Sequence, residues 1–363
     1  MLFISLSAAI GMVAMTLALA LPAAANRDVS AGRAALRSAP SVSMPVTRRR
    51  LSRASSITPE LIHARAGGQP IGWDSGVEVY TTSATIGGKA YEMIMTFGTP
   101  NVIMSKASGY STGQRTGKIV TETFGSINGS YKVEVVLDTV SLSGVTAKGV
   151  AVGKADSDAL ISSAARSKSV GLLGLAPENR DAYFNYNSSF QPLVVASGPT
   201  PFALTLGDKT GTLQFGQFNP SFWVPLSKLG DTWDLLGSIN GIPFSQGTLD
   251  CQEQRLAPDD ASADKILRGL GLKPEYIKIS GGTIKTAKVD CQKGAPLTLR
   301  GPDGNGSIVV DGPSSVYRHA GQCYSIIQGY LGEKGLWIIG AQFFHKGAVF
   351  DIRGKRVGFG LPA

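Results

Sequence analysis

Residues 93–104 read Met-Ile-Met-Thr-Phe-Gly-Thr-Pro-Asn-Val-Ile-Met, and this stretch limits the possible folds more than any other. Apolar Met93–Met95 leads into Thr96-Phe97-Gly98-Thr99-Pro100, and apolar Val102–Met104 follows. The pattern is strand, tight turn, strand, with Gly98 and Pro100 as the turn residues. Short alternating segments of the same kind recur between Gly, Asn, Asp and Ser turns: Val77–Tyr80, Lys132–Leu142, Phe202–Leu206 and Leu297–Leu299. The chain is therefore expected to be all-β. One helix is expected over Ala261–Leu270, with Pro258-Asp259-Asp260 as its start signal and Gly269 and Gly271 as its stop.

The amino end differs from the body. Residues 1–25 carry no charge, and mostly apolar Leu2–Leu21 runs into Pro22-Ala23-Ala24-Ala25. This reads as a secretory signal cut near Ala25–Asn26, with a membrane anchor as the alternative. Residues 26–70 are Ala/Ser/Arg-rich and lysine-free, with arginines at 27, 33, 37, 48, 49, 50, 53 and 65 against Asp28 and Glu60. Most of the chain's net charge of +9 sits there. Arg48-Arg49-Arg50 reads as a processing site in a basic pro-segment, cleaved or disordered; the alternative is an arm that is never cut. No aromatic residues interleave with the charge, so a nucleic-acid partner is not expected. The remaining 290 or so residues suffice for two domains with substantial cores.

Several segments of the body resemble the pepsin-like aspartic peptidases. Val170-Gly-Leu-Leu-Gly-Leu175 is similar to the glycine-containing strand behind that family's first active-site turn. Trp337-Ile-Ile-Gly340, Phe343-Phe344, Ala348-Val-Phe-Asp351 and Arg356-Val-Gly-Phe359 follow its closing pattern, and Trp233 stands where its second lobe begins. The resemblance covers about residues 75–363 and implies a bilobal pepsin-like acid protease fold, two β-barrel-like lobes around a central cleft. The expected division is signal 1–25, pro-segment 26–70, amino-terminal lobe 71–220 and carboxyl-terminal lobe 221–363.

The resemblance also marks where the chemistry departs from the family. Register on Gly98 puts Thr96 at the first catalytic aspartate, Phe97 at the Thr position and Thr99 at the Ser/Thr position. Thr123-Phe124-Gly125-Ser126 falls near the Tyr-Gly of the flap, followed by Asp138-Thr139-Val140 on a strand. An ordinary hairpin with a core aromatic is the alternative there. In place of the second Asp-Thr-Gly stands Leu249-Asp250-Cys251-Gln252-Glu253. Counting back from Pro258 aligns Leu249 with the missing aspartate, while a one-residue deletion aligns Asp250. Without glycine, this second turn is not expected to keep its shape.

Three cysteines leave one over in a secreted chain. The resemblance implies a Cys291–Cys323 disulfide, which leaves Cys251 as a nucleophile, a buried thiol or a bridging handle. A nucleophile needs a base, and neither His319 nor His345 lies in a motif that aims it at Cys251. Asn128, Asn187 and Asn305 head glycosylation sequons. No Cys/His cluster has zinc spacing and no glycine-rich loop precedes a helix in phosphate-binding fashion, so neither metal nor cofactor is expected.

An aspartic peptidase holds two carboxylates together so that one is ionised and the other protonated. Thr96 cannot ionise near working pH, and Asp250 would stand alone. The expectation is a secreted, extracellular, monomeric peptidase homologue without activity, which binds peptide or protein in or near the cleft through Thr96, Thr99, Phe124, Gly125 and the Asp250–Cys251 region. The alternatives are an atypical acid endopeptidase built on Asp250 and Glu253, and an extracellular structural or wall-associated glycoprotein.

Overall fold

The computed structural model describes residues 42–50, 78–123, 130–142, 145–158, 170–177, 201–207, 210–227, 232–279, 282–329 and 335–361. The chain divides into two units, 1–38 and 39–363, and the described residues all belong to the second.

The earlier strands are β1 Val42–Arg50, β2 Glu78–Ile86, β3 Lys89–Thr96, β4 Val102–Met104, β5 Gln114–Thr123, β6 Ser130–Leu142, β7 Val145–Ala155, β8 Gly171–Gly174, β9 Phe202–Leu206 and β10 Thr210–Phe215. They are followed by β11 Phe222–Pro225, β12 Asp234–Ile239, β13 Ile242–Leu249 and β14 Leu256–Ala257. The helix α1, Asp260–Gly269, comes next, then β15 Glu275–Ile279, β16 Gly282–Thr286, β17 Leu297–Arg300 and β18 Ser307–Val310. The last strands are β19 Val316–His319, β20 Gln322–Ser325, β21 Leu336–Ile339, β22 Ala348–Asp351 and β23 Arg356–Phe359.

The all-β expectation holds, and the architecture is that of the bilobal pepsin-like fold. A 13-stranded sheet runs β11-β23-β22-β9-β10-β1-β2-β3-β8-β4-β7-β6-β5, and a six-stranded sheet runs β14-β21-β13-β12-β17-β18. The last two strands of the chain pair with β9 and β11, so the carboxyl end completes the sheet begun by the amino-terminal half. The expected helix starts one residue early. Asp259 caps it by accepting the Ser262 N–H at 3.0 Å, which satisfies a donor that the first turn leaves free.

The core passes directly beneath the first turn. Phe97 packs against Phe350 with ring centroids 5.0 Å apart, and Phe350 stacks on Phe202 at 4.7 Å. Trp233 meets the same ring edge-on at 4.9 Å and donates its indole N–H to the Leu175 carbonyl at 2.8 Å. These rings are all but fully buried, and aromatic pairs in such geometries add roughly 0.5–1.5 kcal/mol each beyond area burial. Phe97 thus ties the turn to the closing strand of the chain.

Residues 42–50 contain a strand where the basic leader showed little apolar periodicity. β1 pairs with both β10 and β2, an outcome set by backbone partners far along the chain.

Candidate functional site

Two turns of matching construction form the centre of the site. β3 ends at Thr96 and runs parallel to β8, in register Met93↔Gly171 to Thr96↔Gly174. β4 returns antiparallel to the same strand, with Val102↔Leu173. β8 therefore threads the loop between β3 and β4. In the second half, β13 runs parallel to β21 up to Leu249↔Ile339, and β14 returns antiparallel with Leu256↔Ile339. The loop Asp250–Arg255 is threaded in the same way.

Glycine makes both threadings possible. A Cβ on Gly174 would lie 2.3 Å from the Thr99 carbonyl oxygen, and one on Gly340 would lie 2.5 Å from those of Glu253 and Arg255. The paired-apolar-then-glycine segments of the sequence are these two inner strands.

The register resolves which residue stands at the second position. Leu173 faces Val102 as Ile339 faces Leu256, and the same number of residues separates Thr96 from Val102 as Asp250 from Leu256. Asp250, one residue beyond Leu249, is the counterpart of Thr96, and its N–H donates to the Ile339 carbonyl at 3.0 Å. Leu249 lies inside β13. By the same equivalence Phe97 matches Cys251, Gly98 matches Gln252, Thr99 matches Glu253 and Asn101 matches Arg255.

The two turns also share their internal hydrogen bonds. Thr96 Oγ1 accepts the Gly98 N–H at 3.0 Å, as Asp250 Oδ1 accepts that of Gln252 at 2.7 Å. Thr99 Oγ1 accepts the Asn101 N–H at 3.2 Å, as Glu253 Oε1 accepts that of Arg255 at 2.9 Å. The expected loss of shape without glycine is therefore corrected. Gly98 is not among the positive-φ glycines, nor is Gln252 among the positive-φ residues. The turn does not use glycine's conformational freedom, so glutamine replaces it without backbone strain.

The electrostatics of the halves diverge. Asp250 is buried, and desolvation pushes its carboxyl from 3.8 to about 7; the negative charge of Glu253 adds to the rise, while the N–H groups of Gln252 and Glu253 oppose it. Glu253 is committed elsewhere. Besides the Arg255 N–H, its Oε1 accepts the Gln254 N–H at 2.8 Å and the Arg255 Nε–H at 2.9 Å. Arg255 in turn donates from Nη1 to Gln328 Oε1 at 2.6 Å, and its guanidinium lies over the Tyr317 ring, 5.5 Å from the centroid. This buried ion pair was not anticipated from the sequence. The available signal was an arginine two residues after a glutamate, in a turn flanked by buried strands.

Cys251 joins the two turns. Its thiol, fully buried, donates to the Met95 carbonyl across the site at 3.8 Å. Burial first, and then the charge of Asp250, raise the thiol pKa well above its ordinary value. The histidines have other neighbours: His345 Nε2 and Gln342 Oε1 share a hydrogen bond, and His319 stacks on Tyr317. Cys251 is thus a buried structural thiol. Among the described residues, no group of three or more His, Cys, Asp or Glu side chains is arranged to hold a metal ion.

Cys291 and Cys323 are disulfide-bonded, leaving Cys251 free. β5 and β6 pair antiparallel out to Thr123↔Ser130, a pairing that both the flap reading and the ordinary-hairpin alternative require. Phe124, Gly125 and Asn128 lie outside the described residues, as does Asn187. Asp138, on β6, accepts hydrogen bonds from the Tyr110 and Thr112 hydroxyls, each at 2.8 Å. Asn305 is exposed between β17 and β18.

The fold and the twin threaded turns define an aspartyl-protease-like protein, and comparison of the sequence with known families agrees. The model of the eukaryotic aspartyl protease family matches residues 103–361, more than half of the chain. The chain belongs to that family. The match begins just beyond the first turn and takes in the second. No curated protein matches the chain.

Proposed function

We propose that this is a secreted peptidase homologue that holds a peptide or protein between its lobes without cutting it. The observation that carries the reading is Thr96 at the position whose counterpart is Asp250. Hydrolysis of the aspartic type requires two carboxyl groups sharing one proton. A threonine hydroxyl has no ionised form near working pH and cannot take a proton from water. Glu253 does not replace the missing group, because its carboxylate is already paired with Arg255. Asp250 is left as a single acid, largely protonated below about pH 7, suited to donate one hydrogen bond to a ligand carbonyl. Thr99, Phe124 and Gly125 are the further residues we assign to this region, with buried Cys251 tying the second turn to the first.

Secretion rests on the apolar 2–21 stretch with its small-residue end, and the disulfide accords with an oxidising compartment. In this reading the protein is monomeric and carries sugar on exposed Asn305, with Asn128 and Asn187 as further acceptors. A second reading, an acid endopeptidase working through Asp250, draws on the family match.

The deciding experiment incubates the chain with an unfolded protein substrate from about pH 2.5 to about 6, with and without pepstatin, alongside Asp250→Ala. The expected result is no cleavage, together with saturable binding to members of an extracellular peptide panel. Pepstatin-sensitive cleavage that disappears in Asp250→Ala would overturn the proposal in favour of the second reading.

A further inference from the structure

The large sheet has two halves, and among the described residues β1 is the one strand whose ladders join them. On one side stand β11, β23, β22, β9 and β10; on the other stand β2, β3, β8, β4, β7, β6 and β5. β1 pairs with β10 from Val42↔Phe215 to Thr47↔Thr210, and with β2 from Thr47↔Thr81 to Arg50↔Glu78. Only Thr47 is laddered on both sides. Pro45 falls where β10 is the single neighbour, so its missing N–H can face the open side. The triplet Arg48-Arg49-Arg50 is the part of the strand laddered to β2, and the compact unit that contains it begins at Ala39.

We propose that Val42–Arg50 is a permanent strand of the working protein. The lane between β10 and β2 is a strand-binding site that retains this segment after a cut at or beyond Arg50. Removing β1 would strip partners from N–H and C=O groups of two strands in the middle of a sheet: β10 has no other ladder on that side, and β2 has one only at Thr85 and Ile86, with β6. It would also create two unpaired edges, each a template for pairing with a second copy. Proteases engage their substrates as extended chains through main-chain hydrogen bonds, and the arginine triplet already spends part of its main chain on β2. The occupant is this chain's own segment, whose register with both neighbours is continuous. The proposal is independent of whether the site between the turns binds or cleaves.

The test digests the folded full-length chain with an arginine-specific protease, for which Arg53 and Arg65 lie beyond the strand. The products are then sized under native conditions and in urea. A fragment containing residues 42–50 should co-elute with the body and separate only in urea. Release under native conditions, with the Tm of the body unchanged, overturns the proposal. Retention only within a dimer of exchanged strands also overturns it, since the occupant would then come from a second copy. Amide exchange on the uncut chain does not depend on whether the protease cuts. Residues 42–50 should exchange at least about a hundredfold more slowly than in a synthetic peptide of the same sequence, and exchange at the free-peptide rate sinks the assignment.

Discussion

Thr96 and Asp250 are counterparts: each stands where a strand laid parallel to a threading inner strand ends, and each side chain accepts the N–H of the residue two positions on. One of the pair titrates and the other does not. The hydroxyl of Thr96 makes the turn's hydrogen bond with a group that does not ionise near neutral pH. Thr96→Val leaves the Gly98 N–H without its acceptor and should cost about 1–2 kcal/mol, read as a lower urea midpoint. Thr96→Ser should cost much less, and equal losses for the two variants would show that the hydroxyl does not hold the turn.

Asp250 should make stability depend on pH in a specific window. Its folded pKa of about 7 lies above the unfolded 3.8, so between those values the folded state holds a proton that the unfolded state has released. The associated stability is complete below the unfolded value and is lost as pH rises through about 7. The full change is on the order of 4 kcal/mol. Denaturation midpoints measured across this range should fall with pH in the wild type and fall less in Asp250→Asn.

Breaking the Glu253–Arg255 pair from one side strands a buried charge. Arg255→Met should destabilise by about 3–5 kcal/mol. Adding Glu253→Gln should recover part of that loss, because the orphaned carboxylate is then gone. The non-additivity in a double-mutant cycle measures the coupling, and simple additivity would mean the two side chains are energetically independent.

Cys251 should be inert while the protein is folded. Its thiol is buried and its pKa is raised, and both effects suppress the thiolate that alkylating reagents need. Iodoacetamide should label it only after denaturation. Rapid native labelling at neutral pH would place the thiol in contact with solvent.

Gly174 and Gly340 should be the least replaceable glycines of the site. An added Cβ at either falls within 2.5 Å of turn carbonyl oxygens, a distance neither backbone can absorb. Each alanine variant should lose about 3 kcal/mol or more, visible as a lowered Tm. A near-neutral Gly340→Ala would mean that the second turn is looser than its hydrogen bonds indicate.

Much of this was legible in the chain itself. Val170–Leu175 and Trp337–Gly340 carry a local pattern, paired apolar residues before glycine, that has few structural uses. The strands at Lys132–Leu142 and Phe202–Leu206 followed from alternation between turn residues. The second turn keeps its shape without glycine because the backbone there stays out of the left-handed region, which the residue types alone do not reveal. The strand at Val42–Arg50 carried no local signal, since its partners lie at positions 78–81 and 210–215.

The sequence by itself determined the fold class, the pairing of strand-forming segments with turns, and the absence of a carboxylate at position 96. These depend on residue type and short-range spacing, which local physics reads directly. Only the tertiary structure decided that Asp250, not Leu249, is the counterpart of Thr96, that Arg255 takes up Glu253, and that Cys251 reaches the Met95 carbonyl. Each is a relation between backbone segments brought together by threading strands and distant ladders. Partner distance and burial, on which hydrogen bonding and ionisation depend, exist only once the chain has folded.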